Sequence, residues 1–359
     1  MSLLAYRPDW EDARARLTAW WNGADLGRAC LLMTTPRPEP WEAYPPLPEP
    51  PGWVTDYSTR DLEYHVHVRL RAAAGVEYLG EACPYVNAGD LAPNCLALYL
   101  GCHGVEQPGT VWCEPCLADP EAARFDYDPA NFYWRFTQAA IRRTLELAGG
   151  KLLVQFPDLI EGLDTLAALR GTQQLLLDLV ERPAWVHACL GRITDRYFSY
   201  YDRLYHLIRD EGGGSHYWAW APGRLAKLQC DCSAMISPGM FRDFMLPVLG
   251  EMTERVSYSL YHWDGPGAIP HLDALLSLPR LDVIQWTSGA GAPGATDPGW
   301  WPLYHRILDA GKGLFLYGGS REELLALKRE FGPQTQRMLL VTGAPSAREG
   351  EEYLRMMEL

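Results

Sequence analysis

No stretch of the sequence approaches the roughly 18 consecutive apolar residues that cross a bilayer. The opening, Met1-Ser2-Leu3-Leu4-Ala5-Tyr6-Arg7-Pro8, has no apolar run of signal-peptide length. Positive charge is in deficit, with 32 Lys and Arg against 45 Asp and Glu and a net charge of −13. Nucleic acids and anionic membranes both select a basic footprint, so neither is an expected partner. The nine cysteines are odd in number, and no second pair follows Cys113-x-x-Cys116 at zinc-finger spacing. The expectation is a cytoplasmic protein with reduced thiols and no structural zinc at that pair. Gly289-Ala290-Gly291 is too short for a phosphate loop.

What the chain does have is length and rings. Its 359 residues can bury a sizeable core without disulfides. They include 14 Trp, 19 Tyr and 28 Pro. Aromatic excess can line a ligand cavity, since rings give contact area at little entropic cost; a Trp-rich core is the competing account. Residues 38–53 hold seven prolines and cannot be regular structure, but their Trp and Tyr predict packing over the surface.

The apolar pattern predicts a first helix from Asp9 or Trp10, with Trp10, Ala13, Leu17, Trp20 and Trp21 on one face. A buried strand is predicted within Arg28–Arg37 and a helix over 61–74. From residue 150 onward, apolar runs alternate with helical periods. The runs are 151–156, 226–232, 257–264, 281–287, 313–317 and 338–342. With Arg28–Met33 and the short Val76–Leu79 they make eight strand–helix units. Eight such units in one chain point to a single (β/α)8 barrel spanning 1–359 with its site at the C-terminal mouth.

Polar residues cluster at the predicted strand ends: Glu81, Asp158, Glu161, Gln229, Asp231, His262, Asp264, Gln285 and Tyr317. In a strand, residues two apart share a face, so His262 and Asp264 project together. An imidazole beside a carboxylate can hold a divalent metal or act as a base and its orienter. An ordinary structural hydrogen bond between the two is the competing account. Gln229 and Asp231 share a face on the preceding strand, which makes Asp231 and Asp264 a possible carboxylate pair for acid–base work. Asp164 can cap the helix that follows it, and Arg170 could hold an anionic group or form a surface ion pair. Trp218, Trp220, Trp263 and Trp286 fall near strand ends and are candidate stacking surfaces.

Several of these residues carry a resemblance. Ala19-Trp20-Trp21-Asn22-Gly23 through Arg28 is one matching segment. Asp231 with Ile236-Ser237-Pro238 and Phe241 to Pro247 is a second, and the strand end His262-Trp263-Asp264-Gly265 a third. Tyr317-Gly318-Gly319 through Leu324 also fits. The chain resembles the uroporphyrinogen decarboxylase superfamily, which includes cobalamin-dependent methyltransferases. The resemblance implies a (β/α)8 barrel, zinc at a His-x-Cys strand end, and a corrinoid presented by a partner protein. Here Asp264 stands at the Cys position, and no cysteine stands near Thr342-Gly343-Ala344. A harder His/Asp site for zinc or another divalent ion is what remains. The Arg-rich segment implied for porphyrinogen decarboxylation is reduced to Arg37.

Three functions follow as expectations. The first is methyl transfer on a small molecule, with a metal at His262 and Asp264 and Asp231 orienting or deprotonating. The second is a glycoside hydrolase or lyase using Asp231 and Asp264 with aromatic sugar-stacking residues. The third is a binding protein on a retired enzyme scaffold.

Overall fold

The computed structural model describes residues 4–358, so Met1–Leu3 of the opening segment and Leu359 lie outside the described residues. Thirteen strands are described: β1 (Cys30–Pro36), β2 (Val76–Gly80), β3 (Tyr85–Val86), β4 (His103–Gln107), β5 (Thr110–Glu114), β6 (Leu153–Val154) and β7 (Ser215–Tyr217), then β8 (Ala219–Ala221), β9 (Leu225–Gln229), β10 (Tyr258–Asp264), β11 (Val283–Thr287), β12 (Gly313–Tyr317) and β13 (Met338–Gly343). One sheet of seven strands runs in the order β2-β1-β13-β12-β11-β10-β9. All its neighbours are parallel except β2, which is antiparallel to β1. β3 and β6 form a separate parallel pair, while β4–β5 and β7–β8 are hairpins.

This is a mixed α/β fold built on a mainly parallel sheet, and its strand ladder does not close among the described residues. The eight uniform parallel units expected from the sequence are corrected at β2. Its first residue, Val76, pairs with Pro36 at the C-terminal end of β1, so the chain runs back down instead of crossing over. Beside β9, the Phe156 amide beyond β6 donates to the His216 carbonyl of β7 at 3.1 Å.

The C-terminal strands form because both faces are apolar and buried. On β13, Met338, Leu339 and Leu340 are each 0% exposed, and Leu314, Phe315 and Leu316 on β12 match them. The helices that cover them start on side-chain caps. Ser320 and Glu323 make a reciprocal capping box, and Ser346 accepts from the Glu349 amide. The first helix, Trp10–Trp21, buries the five predicted residues. Residues 38–53 contain no helix or strand. Trp41 anchors them, with the Arg37 guanidinium 3.6 Å from its ring centre and its indole N–H on the Val76 carbonyl.

Candidate functional site

Sheet register fixes which side chains share the inner face. Leu260 pairs with Lys227 and Val283, and His262 pairs with Gln229 and Gln285. Phe315 and Tyr317 follow on β12, and Val341 on β13. Alternation then places Lys227, Gln229, His262, Asp264, Gln285 and Tyr317 on one face. Asp231 starts the short turn beyond β9. The ligand atoms of Asp231, His262 and Asp264 all lie within 4.8 Å of one another.

Two of the three are held by side-chain hydrogen bonds. His262 Nδ1 donates to Gln285 Oε1, and Gln285 Nε2 donates to Thr287 Oγ1 at 2.9 Å. That leaves the His262 Nε2 lone pair free. Burial, and then the nearby Lys227 ammonium, push the imidazole pKa down and keep the ring neutral. Gln229 Nε2 donates to Asp231 Oδ2 at 3.1 Å. The Asp231 carboxyl, open to the adjoining cavity, is pushed up to about 7 by lost hydration and then by the Asp164 charge. Asp264 Oδ1 is buried with no hydrogen-bond partner. A neutral imidazole, an unpartnered carboxylate oxygen and a crowded carboxyl make a donor set that fits a divalent cation.

A second layer surrounds the trio. Lys227 is fully buried, contacts Asp158 and Gln229, and lies 4.9 Å from the Trp218 ring centre. Tyr217 donates to Asp158 Oδ1 at 2.6 Å. Glu161 accepts the Gln229 amide at 2.6 Å, and burial raises its carboxyl pKa well above the ordinary range. Asp164 does not cap its own helix. Its carboxylate accepts the Asp231 and Cys232 amides at 2.7 and 2.8 Å and so fixes the turn that carries Asp231. Trp218 is the one described non-glycine residue with positive φ, at 63°. Its amide donates to Gln155 Oε1, and its ring meets His262 edge-on at 5.2 Å and Tyr317 at 6.0 Å. Strain of this kind collects at functional sites.

Two cavities open here. One of about 480 Å³ is lined by Gln229, Asp231, Asp164, Trp112, Cys113 and Met235 among others. The other, of about 150 Å³, is ringed by Tyr78, Tyr85, His216, Trp218, Trp220 and Tyr317.

The structure does not bring every predicted residue to this mouth. Glu81 lies at the opposite end of the sheet, because β2 runs downward. It is locked to Arg28 at 2.7 Å and Arg16 at 2.6 Å. Arg170 is buried against Asp178 and the Leu117 and Ala118 carbonyls and holds chain segments together. Trp263 and Trp286 project from the outer face, where they pack against each other at 4.5 Å beneath the helices, so neither offers a ring to a sugar. Trp220 reaches the smaller cavity, although its indole N–H is tied to Asp210. Sequence reasoning missed Lys227 and Tyr217. The alternation Lys227-x-Gln229-x-Asp231 was the available signal for the lysine.

No protein-family model matches the sequence, and no curated protein does. Among solved structures, a methyltransferase from Methanosarcina mazei matches with a TM-score of 0.60 and 14% identity. The match covers 96% of this chain and 98% of that one. At that identity the likeness is one of fold.

Proposed function

We propose that this protein is an enzyme that moves a methyl group to or from a small molecule at the mouth of the sheet. The observation that carries the proposal is the close approach of Asp231, His262 and Asp264. His262 and Asp264 would hold zinc or another divalent ion, which supplies Lewis acidity to an acceptor S–H or O–H. Asp231, whose carboxyl titrates near neutrality, accepts the proton given up at that sulfur or oxygen. Gln285 fixes the His262 tautomer and Gln229 orients Asp231. Trp218 and Tyr317 pack the substrate body and exclude water above the trio. Glu161 and Asp158 act behind them by positioning β9 and Lys227. A corrinoid protein is the methyl donor that the sequence resemblance implies.

The test is transfer from methylcobalamin to a panel of thiols and small alcohols, followed by the visible spectrum of the corrinoid. The wild type should demethylate it, and His262→Ala and Asp231→Asn should lose at least about 100-fold, the scale of a lost proton-transfer group. Equal rates in all three proteins would overturn the assignment.

A further inference from the structure

A second cluster lies outside the trio and is not used by it. Cys102 follows the helix Cys95–Tyr99, Cys113 lies in β5, and Cys116 stands two residues beyond β5. Cys102 Sγ and Cys116 Sγ are 3.9 Å apart, and the Cys102 thiol also reaches the Ala168 carbonyl at 3.4 Å. The three differ in access: Cys102 is buried, Cys113 intermediate and Cys116 exposed. The backbone is pinned around them. The Cys102 amide donates to Ala97 at 3.0 Å, and the Cys116 and Leu117 amides both donate to the Leu169 carbonyl. Cys113 also lines the 480 Å³ cavity that Asp231 lines.

We propose that Cys102, Cys113 and Cys116 form a reversible thiol–disulfide site, in which peroxide oxidation joins Cys116 to Cys102 and exchange passes the bond to Cys113 at the cavity wall. A disulfide needs its sulfurs at about 2.05 Å, so the pair must close by roughly 1.9 Å from its present 3.9 Å. Cys116 is the entry point because it is exposed and accepts the Cys102 hydrogen bond, which brings its thiol down to about 7. The neighbouring Cys102 thiol also lowers Cys113.

The steps balance. The Cys116 thiolate attacks a peroxide oxygen, the O–O bond breaks, and a sulfenic acid forms as hydroxide leaves and is protonated to water. The Cys102 thiol attacks the sulfenic sulfur, the S–S bond forms, and a second water leaves. Two thiols have lost two electrons and two protons, and hydrogen peroxide has become two waters. The Cys113 thiolate then attacks Cys102 sulfur and releases the Cys116 thiolate, with no net redox change. The new bond ties β5 to the chain before β4 and alters the lining of the cavity that Asp231 shares.

The experiment treats the whole protein with stepwise hydrogen peroxide, alkylates remaining thiols, and maps peptides by mass spectrometry. The expected result is loss of two hydrogens, reversed by dithiothreitol, with Cys102–Cys116 peptides preceding Cys102–Cys113 peptides. Cys116→Ser, an exposed position, should slow the first bond about tenfold or more, because the accessible thiolate is gone. Cys102→Ser should convert Cys116 to sulfinic acid instead. A folded wild type that shows no disulfide within the trio would overturn the proposal. So would bound zinc that is lost in Cys102→Ser, since the thiols would then be metal ligands. Either result leaves the proposed methyl transfer untouched.

Discussion

The two ends of the sheet each gather carboxylates, and they treat them in opposite ways. At the lower end, Glu81 is fully buried and meets Arg28 and Arg16, and it also accepts the Leu31 amide at 2.8 Å. Its charge is answered by cations and a backbone donor. At the mouth, Asp231 and Asp264 lie beside a neutral His262, with one Asp264 oxygen unpartnered and Asp164 crowding Asp231. The nearby cation, Lys227, is engaged by Asp158 and Gln229. A buried group whose needs are met stabilises the fold. A cluster whose needs are unmet is retained at a cost in stability, which is the pattern of a site that waits for a ligand.

The contrast breaks most sharply at Glu81. Glu81→Ala leaves Arg28, largely buried, without its partner and should cost about 3–5 kcal/mol, read from the denaturant midpoint. A loss under 1 kcal/mol would mean that the lower cluster is not structural. Lys227→Met should cost about 2 kcal/mol. The loss is smaller because Asp158 keeps the Tyr217 hydroxyl and is partly open to water.

His216 sharpens the comparison through pH. Burial pushes its imidazole down to about 3, against about 6.5 unfolded. The unfolded chain therefore binds the extra proton throughout the window between those values, and stability rises with pH across it. Below about pH 6.5 the group should remove up to about 1.4 kcal/mol per pH unit. His216→Phe should flatten the slope between pH 4 and 6.5 relative to wild type, and an unchanged slope would contradict the burial account. The smallest effect belongs to Asp264→Asn, which relieves like-charge crowding. Its stability should stay within about 1 kcal/mol of wild type or rise. A large destabilisation would place Asp264 with Glu81 as a structural group.

How much of this could be read from the sequence follows the same division of the chain. From β9 onward the strands are apolar runs of five residues or more, and β12 and β13 lead into helices with Ser320 and Ser346 caps, so position and type were legible to within a few residues. Before β9, strands such as β3 and β6 have two residues each, too short to carry a period. Their pairing comes from tertiary packing. The direction of β2 could not be read either, because an apolar run has no arrow, and Glu81 was misplaced with it. His262 and Asp264 were legible from their two-residue spacing. That same alternation already set Trp263 on the opposite face. Lys227 was overlooked because a lysine in an apolar strand reads as a solvent-facing residue until the register turns it inward.

The central claim is that His262 and Asp264, with Asp231 beside them, hold a divalent metal. The most direct measurement is metal stoichiometry after equilibrium dialysis against zinc and manganese, by plasma mass spectrometry, in wild type, His262→Ala and Asp264→Asn. The account predicts one tightly held ion per chain in the wild type and its loss in both variants with the fold intact. No retained ion in the wild type, or equal retention in all three proteins, would contradict it and leave the carboxylates to act alone.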